Sequence, residues 1–373
     1  MTRRRGGGNN VGAMTLASVR PAIRGLAAYR PGKGAAQAER EHGITEAIKL
    51  ASNENPFPPV PKVTDAIRAA ADGVNRYPDH RATELRAALA SRLGIGREQV
   101  AVGCGSVGLL QQLCLTFVDP GDEVVYPWLS FEAYPVCTGM MGGVPVNPPL
   151  VDHAFDMDAV AEAVTSKTKM VLLATPNNPT GTAISTAQVA TLLARIPDDV
   201  IVLVDEAYRE FADPALGDPL ELLAEHHNLV VTRTFSKAYG LAGLRVGYAV
   251  CDPEIVQEID KILLPFAVNA VAQAAAMAAL SALDQIQPRI DELLAERTRL
   301  VAQLEGAGWK LPPAQANFVY LVTGDRTDDV YLALERRGVV TRPFSGAGIR
   351  VTVGTPAEND RFLATLAEVG SPH

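Results

Sequence analysis

Apolar residues along the chain follow two rhythms. Short runs at 100–102, 123–126, 170–174, 200–204, 229–232 and 245–250 are dominated by Val, Leu, Ile, Met and Ala. At about five residues each, they have the length of strands buried on both faces. Between them, 107–117 and 187–195 place their apolar positions at helical spacing. This alternation predicts an α/β fold: a mainly parallel sheet flanked by helices. Ahead of it, Val63, Ile67 and Ala70 share one face of a helix beginning at Pro61, and Tyr77-Pro78 breaks the pattern. A second amphipathic helix over 83–93 ends at Gly94.

Beyond Pro265 the pattern changes. An alanine-rich helical stretch covers 270–283, and leucines repeat at helical spacing through 290–307. A strand at 318–322, a helix at 328–337, short strands at 339–342 and 349–353 and a helix starting near Pro356 follow. The expected organisation is a disordered tail and arm at 1–48, extended and rich in Pro and Gly over 21–34. A large domain at 49–265 and a smaller C-terminal α/β domain at 266–373 follow it. Met14 is a second candidate start.

Composition narrows the function. The formal net charge of -8 works against a nucleic-acid or anionic-membrane partner. The four cysteines, Cys104, Cys114, Cys137 and Cys251, form no C-x-x-C pair and are expected as buried, reduced thiols. The six histidines show no metal-ligand spacing, so no metal is expected. No apolar run reaches the roughly 18 residues of a membrane span. The arginines and glycines at 3–8 have no apolar stretch behind them, unlike a secretory signal. The expected compartment is the cytoplasm.

The candidate chemistry sits at the strand ends. The run at 170–174 opens into Thr175-Pro176-Asn177-Asn178-Pro179-Thr180-Gly181, and that at 200–204 into Asp205-Glu206-Ala207-Tyr208. The run at 229–232 leads to Arg233-Thr234-Phe235-Ser236-Lys237 and, through a Gly-rich segment, to Arg245. In a parallel sheet such carboxyl ends gather along one edge, where ligands bind. The residue types suit pyridoxal phosphate. Its ring nitrogen stays protonated only against a carboxylate, which Asp205 can supply. Asn178 or Tyr208 can donate to the ring hydroxyl, and Lys237 is the lysine to carry the aldehyde. Thr234, Ser236 and Arg245 offer hydroxyls and a cation to the phosphate.

Plainer readings compete with these. Asp205 could cap a helix, Asn178 could only form a turn, and Phe131 could be core packing. Gly103-Cys104-Gly105-Ser106-Val107-Gly108 matches G-x-G-x-x-G, and with Asp122 beyond it allows a nicotinamide-dependent oxidoreductase. Both cofactors seat a phosphate on a helix N-terminus. Asp205, Lys237 and Arg245 have no task in that alternative.

Asn177-Asn178-Pro179-Thr180-Gly181, Asp205-Glu206-Ala207-Tyr208 and the run from Thr234 to Arg245 resemble the fold-type I pyridoxal-phosphate aminotransferases. More narrowly, they resemble the histidinol-phosphate aminotransferase subfamily and its aromatic amino acid branch, from about Pro21 to Phe362. The resemblance implies that Phe131 stacks on the cofactor ring and that the N–H groups of Ser106 and Val107 hold its phosphate. It implies a homodimer, with Tyr77 reaching the phosphate and Tyr29 the substrate of a neighbouring subunit. Asn53 falls in the substrate-side loop, and Arg342 and Arg350 match arginines that grip the substrate anion. Val107 departs from an acidic residue common at its position, but its N–H remains.

The implied catalytic set is Lys237, Asp205 and Tyr208. The implied reaction is ping-pong transamination, with Lys237 moving the α-proton and 2-oxoglutarate as acceptor. A guanidinium fork takes a carboxylate or a phosphate alike, so Arg350 does not choose between an amino acid and histidinol phosphate. The segments 103–113 and 341–348 look more like the aromatic branch, with Tyr29, Phe131, Tyr134 and Phe344 as candidates to line an apolar side-chain pocket.

Overall fold

The computed structural model describes residues 19–28 and 31–370. The expectations for the tail, for Met14 as a start and for Tyr29 fall outside those residues. The arm is less extended than its Pro and Gly content suggests: Pro21–Arg24 forms one helical turn, and Ala35–His42 is a helix.

Seven strands make the main sheet: Val100–Gly103 (β1), Glu123–Val125 (β2), Val144–Val146 (β3), Thr168–Ala174 (β4), Ile201–Asp205 (β5), Leu229–Thr234 (β6) and Gly247–Cys251 (β7). Their order is β1-β7-β6-β5-β4-β2-β3. β7 runs antiparallel to β1 and β6, and every other pairing is parallel. Six of these strands fall on apolar runs read from the sequence. The seventh, β3, has Pro145 at its centre and lies at the sheet edge, where a missing N–H breaks no ladder.

The central strands β5 and β6 are buried along their whole length, as a sheet covered on both faces requires. On β1, Val100 and Val102 join the apolar cluster on one face and Ala101 the cluster on the other. The first cluster continues into the helices Pro61–Ala71, Thr83–Leu93 and Ala270–Leu280 and into a second sheet. That sheet is antiparallel: Phe318–Val322 (β8), Arg342–Phe344 (β9) and Gly348–Thr352 (β10), ordered β8-β10-β9. The leucine-rich helix runs Leu283–Gly306, seven residues earlier than its periodicity alone placed it, because it takes Pro288 into its second turn. A capping box of Thr355 and Glu358 starts the last helix, Pro356–Val369.

Among the described residues, no helix is long and apolar enough to cross a membrane. Cys114, Cys137 and Cys251 are buried thiols as expected, but Cys104 is exposed. It occupies the junction between β1 and the helix Gly105–Phe117 rather than either interior.

Candidate active site

The carboxyl ends of the parallel strands form one row. Ala174 of β4 is registered against Asp205 of β5, and Asp205 against Thr232 of β6. Further along, Thr234 of β6 lies beside Gly247 of β7, and Gly247 beside Gly103 of β1. Residues beyond these strand ends close over a cavity of about 240 Å³. Asn178, Asp205, Tyr208, Thr234, Ser236 and Lys237 all line it.

Asp205 is 6% exposed and caps no helix. Its carboxylate accepts from the Thr232 hydroxyl at 3.3 Å and, at the long limit of 3.5 Å, from the Tyr134 hydroxyl. Loss of water pushes its pKa up to about 6, against the pull of those donors. Tyr134 was expected along an apolar pocket wall. It is instead wholly buried behind Asp205, with its ring edge-on to Phe131 at 5.7 Å. Phe344, the other expected wall, is buried within the second sheet among the neighbours of Arg342 and Arg350, outside the cavity lining. Phe131 does line the cavity.

Lys237 extends into the cavity, its ammonium 5.6 Å from the centre of the Tyr208 ring and donating to the Ser52 carbonyl at 3.3 Å. Removal from water, then the positive charges of Arg350 and Arg245, bring its pKa down to about 7. A lysine whose amine is about half neutral at pH 7 is a nucleophile and a base, which an ordinary surface lysine is not.

A third group gathers where β6 turns. Thr234 donates to Ser236 at 3.1 Å, Ser236 N–H donates back to Thr234 Oγ1 at 3.1 Å, and Arg245 Nη1 donates to Ser236 Oγ at 3.2 Å. Facing them is the start of the helix Gly105–Phe117, where Ser106 and Val107 reach the cavity. First-turn N–H groups have no partner within their helix. The backbone packs tightly here. A Cβ on Gly247 would lie 2.6 Å from Ser106 N and 2.8 Å from Gly105 C. One on Gly105, whose φ is +73°, would meet the Arg245 guanidinium at 2.6 Å.

On the opposite side stand the second sheet's residues. Arg350, 6% exposed, donates to Asn178 Oδ1 and, at 2.6 Å, to the Ala51 carbonyl. Asn53 links the two sheets: its amide donates to Tyr208 Oη at 2.9 Å, and its side-chain oxygen accepts from Thr352 at 3.0 Å. Arg342 lines the cavity paired with Glu132. Tyr77 is not brought to this cavity; it is 81% exposed and stacks on Phe266 at 4.3 Å.

Thr232, Ser52 and Glu132 had no assigned role in the sequence. Thr232 was within reach, since it precedes Thr234 by two on one strand and so shares its face. Ser52 and Glu132 act through partners 185 and 210 residues away, and no local pattern signals that.

The residues present fit a phosphorylated pyridine aldehyde. A buried carboxylate, an amine of depressed pKa and a hydroxyl–guanidinium–N–H cradle line one cavity, in the arrangement its ring nitrogen, aldehyde and phosphate require. The chain belongs to the aminotransferase class I and II family, matched over residues 45–366. It is a pyridoxal-phosphate-dependent aminotransferase, and the dinucleotide reading of 103–108 is set aside.

Its relatives are close. It is 47% identical over 346 residues to an aromatic amino acid aminotransferase of Thermobifida fusca, covering 92% of this chain and 95% of that protein. Another protein of that name, from Cutibacterium acnes, is 46% identical over 351 residues, or 94% and 97% of the two chains. A solved structure of histidinol-phosphate aminotransferase from Sinorhizobium meliloti, in complex with pyridoxal-5'-phosphate, superposes with a TM-score of 0.88. It is 31% identical, and the match covers 95% of this chain and 98% of that one.

Proposed function

We propose that this aminotransferase moves the amino group of an aromatic amino acid, phenylalanine or tyrosine, to 2-oxoglutarate in two half-reactions. Its similarity to aromatic amino acid aminotransferases, at 46–47% identity, supports that substrate class. The observation carrying the mechanism is the convergence of Lys237, Asp205, the Ser236–Arg245 pair and Arg350 on one cavity.

Pyridoxal phosphate, when bound, supplies the electron sink that makes the substrate's α-hydrogen acidic. Lys237 Nζ would hold its aldehyde. Asp205 provides the carboxylate for its ring nitrogen, and Tyr208 and Asn178 donate to its ring hydroxyl. Thr234, Ser236, Arg245 and the N–H groups of Ser106 and Val107 would take its phosphate, and Phe131 would pack against its ring. Lys237 Nζ, as a neutral amine, would remove the substrate's α-proton and redeliver it. Arg350, positioned by Asn178 and the Ala51 carbonyl, orients the substrate carboxylate, with Asn53 and Arg342 beside it. A homodimer completes the site, Tyr77 of one protomer reaching the cofactor phosphate of the other and Tyr29 its substrate.

One observation favours histidinol phosphate as a second reading: Arg342 and Arg350 stand opposite each other, two cations where a phosphate could sit. Comparing kcat/KM for phenylalanine and histidinol phosphate, with 2-oxoglutarate as acceptor, decides between them. The expected result favours phenylalanine, and a strong preference for histidinol phosphate overturns the substrate assignment. Lys237→Ala should lose the visible absorbance of bound cofactor and at least about 1,000-fold in turnover. Retention of both would sink the assignment of Lys237.

A further inference from the structure

Asn53, Thr352 and Tyr208, all buried, meet between the two sheets. Thr352 is the last residue of β10 and shares a face with Arg350, two residues before it. Across the ladder it stands opposite Phe318 of β8, whose ring is edge-on to that of Tyr208 at 5.2 Å. The Thr352 hydroxyl accepts from the Asn53 N–H at 2.9 Å and donates to Asn53 Oδ1 at 3.0 Å. On its other side the Asn53 amide donates through Nδ2 to Tyr208 Oη at 2.9 Å.

Two orientations of the Asn53 amide fit the same space, and they have opposite consequences for Tyr208. As found, Oδ1 faces Thr352 and Nδ2 faces Tyr208, so the tyrosine oxygen accepts and its own hydrogen is not spent on Asn53. Turned over, Oδ1 would face Tyr208 and take that hydrogen, and Nδ2 would face Thr352. Among the described residues, Asn53 is the only hydrogen-bond partner of the Thr352 hydroxyl. The turned amide would offer that hydroxyl a second donor and no acceptor, leaving a buried O–H unsatisfied. Thr352 therefore fixes the amide, and with it the direction of the hydrogen bond at Tyr208.

We infer that Thr352, acting through Asn53, keeps Tyr208 a hydrogen-bond donor toward the cofactor's ring hydroxyl. It is a positioning residue supplied by the second sheet. The inference rests on the proposed function, which puts Tyr208 at that hydroxyl. A donor there favours the ring oxygen as an anion, and so eases loss of the proton this oxygen shares with the Lys237 nitrogen.

The test is the visible absorbance of cofactor-loaded enzyme, without substrate, titrated with pH. Loss of the shared proton changes the band, and the midpoint of that change is the readout. Asp205, Lys237, Arg245, Arg342, Arg350 and Glu132 line the same cavity and bear on the midpoint. They are common to parent and variants, so the difference between midpoints reads the hydrogen bond from Tyr208. Tyr208→Phe should raise the midpoint by about 1 pH unit or more, as for a lost hydrogen bond to a charged group. Thr352→Val, close in shape but without the hydroxyl, should raise it similarly, as should Thr352→Ala, which removes the same group with less bulk. Thr352→Ser should stay near the parent. In the Tyr208→Phe background, Thr352→Val should add nothing. Midpoints of Thr352→Val and Thr352→Ala equal to the parent's overturn the relay alone, as does a shift that persists in full without the Tyr208 hydroxyl. An unmoved midpoint in Tyr208→Phe itself overturns the placement of Tyr208 at the ring hydroxyl, and the relay with it.

Discussion

Lys237 and Asp205 are both held away from their ordinary titration ranges, and for the same reason. Each sits where water is scarce, so each charged form is disfavoured: the lysine drops to about 7 and the aspartate climbs to about 6. For the lysine this has a measurable consequence. Covalent capture of pyridoxal phosphate by apoenzyme requires the neutral amine, whose fraction grows tenfold per pH unit only below its pKa. The rate of capture, followed by absorbance, should therefore rise with pH up to about 7 and level off above it. A rate still climbing tenfold per unit toward pH 9 would mean that Lys237 behaves as a solvated lysine, near 10.4 in model peptides. That both residues belong together was legible from their positions after two apolar runs. The size of their shifts was not, because desolvation depends on what covers them, and Tyr134 and Arg350 come from distant parts of the chain.

At the level of elements, the cradle at the start of the helix Gly105–Phe117 depends on how closely β7 approaches it. Gly247 has no special backbone angle. Its requirement is space, since any Cβ there would collide with the backbone of Gly105 and Ser106 and with the Arg233 carbonyl at 2.9 Å. Backbone atoms cannot rotate out of the way as a side chain can. Gly247→Ala should cost about 1–3 kcal/mol of stability, in the range of overpacked sites. It should weaken cofactor affinity in an absorbance titration, because the strand and the helix terminus are forced apart. Unchanged affinity would show that the cradle tolerates a wider spacing. The strand–helix alternation announced this region, but the edge strand with Pro145 and the start of the long helix ahead of Pro288 went unread. Proline breaks the local pattern in both, and only the tertiary setting, a free edge in one case, makes it tolerable.

At the scale of the whole molecule, the proposed homodimer needs an apolar surface to form on. Tyr77, Phe266 and Leu264 expose large apolar surfaces within a few residues of the Tyr77–Phe266 stack, outside the cavity. If the proposed homodimer forms there, sedimentation at micromolar concentration should give twice the 39.6 kDa chain mass. Tyr77→Ala should then weaken cofactor binding although Tyr77 lies away from its own chain's cavity. A monomer that binds cofactor as tightly as the parent would refute both the dimer and the role of Tyr77.

Taken alone, the order of apolar runs determined the α/β class, and the residues at their ends determined the cofactor. Both are local: a strand buried on two faces must be apolar throughout, and whatever follows it must emerge at the sheet edge. The tertiary structure decided what depends on long-range meetings. It moved Tyr134 from the pocket wall to the back of Asp205, joined Asn53 to Tyr208 and Thr352, and set Glu132 against Arg342. Such contacts follow from how two sheets pack over one cavity, and no local stretch of sequence announces them.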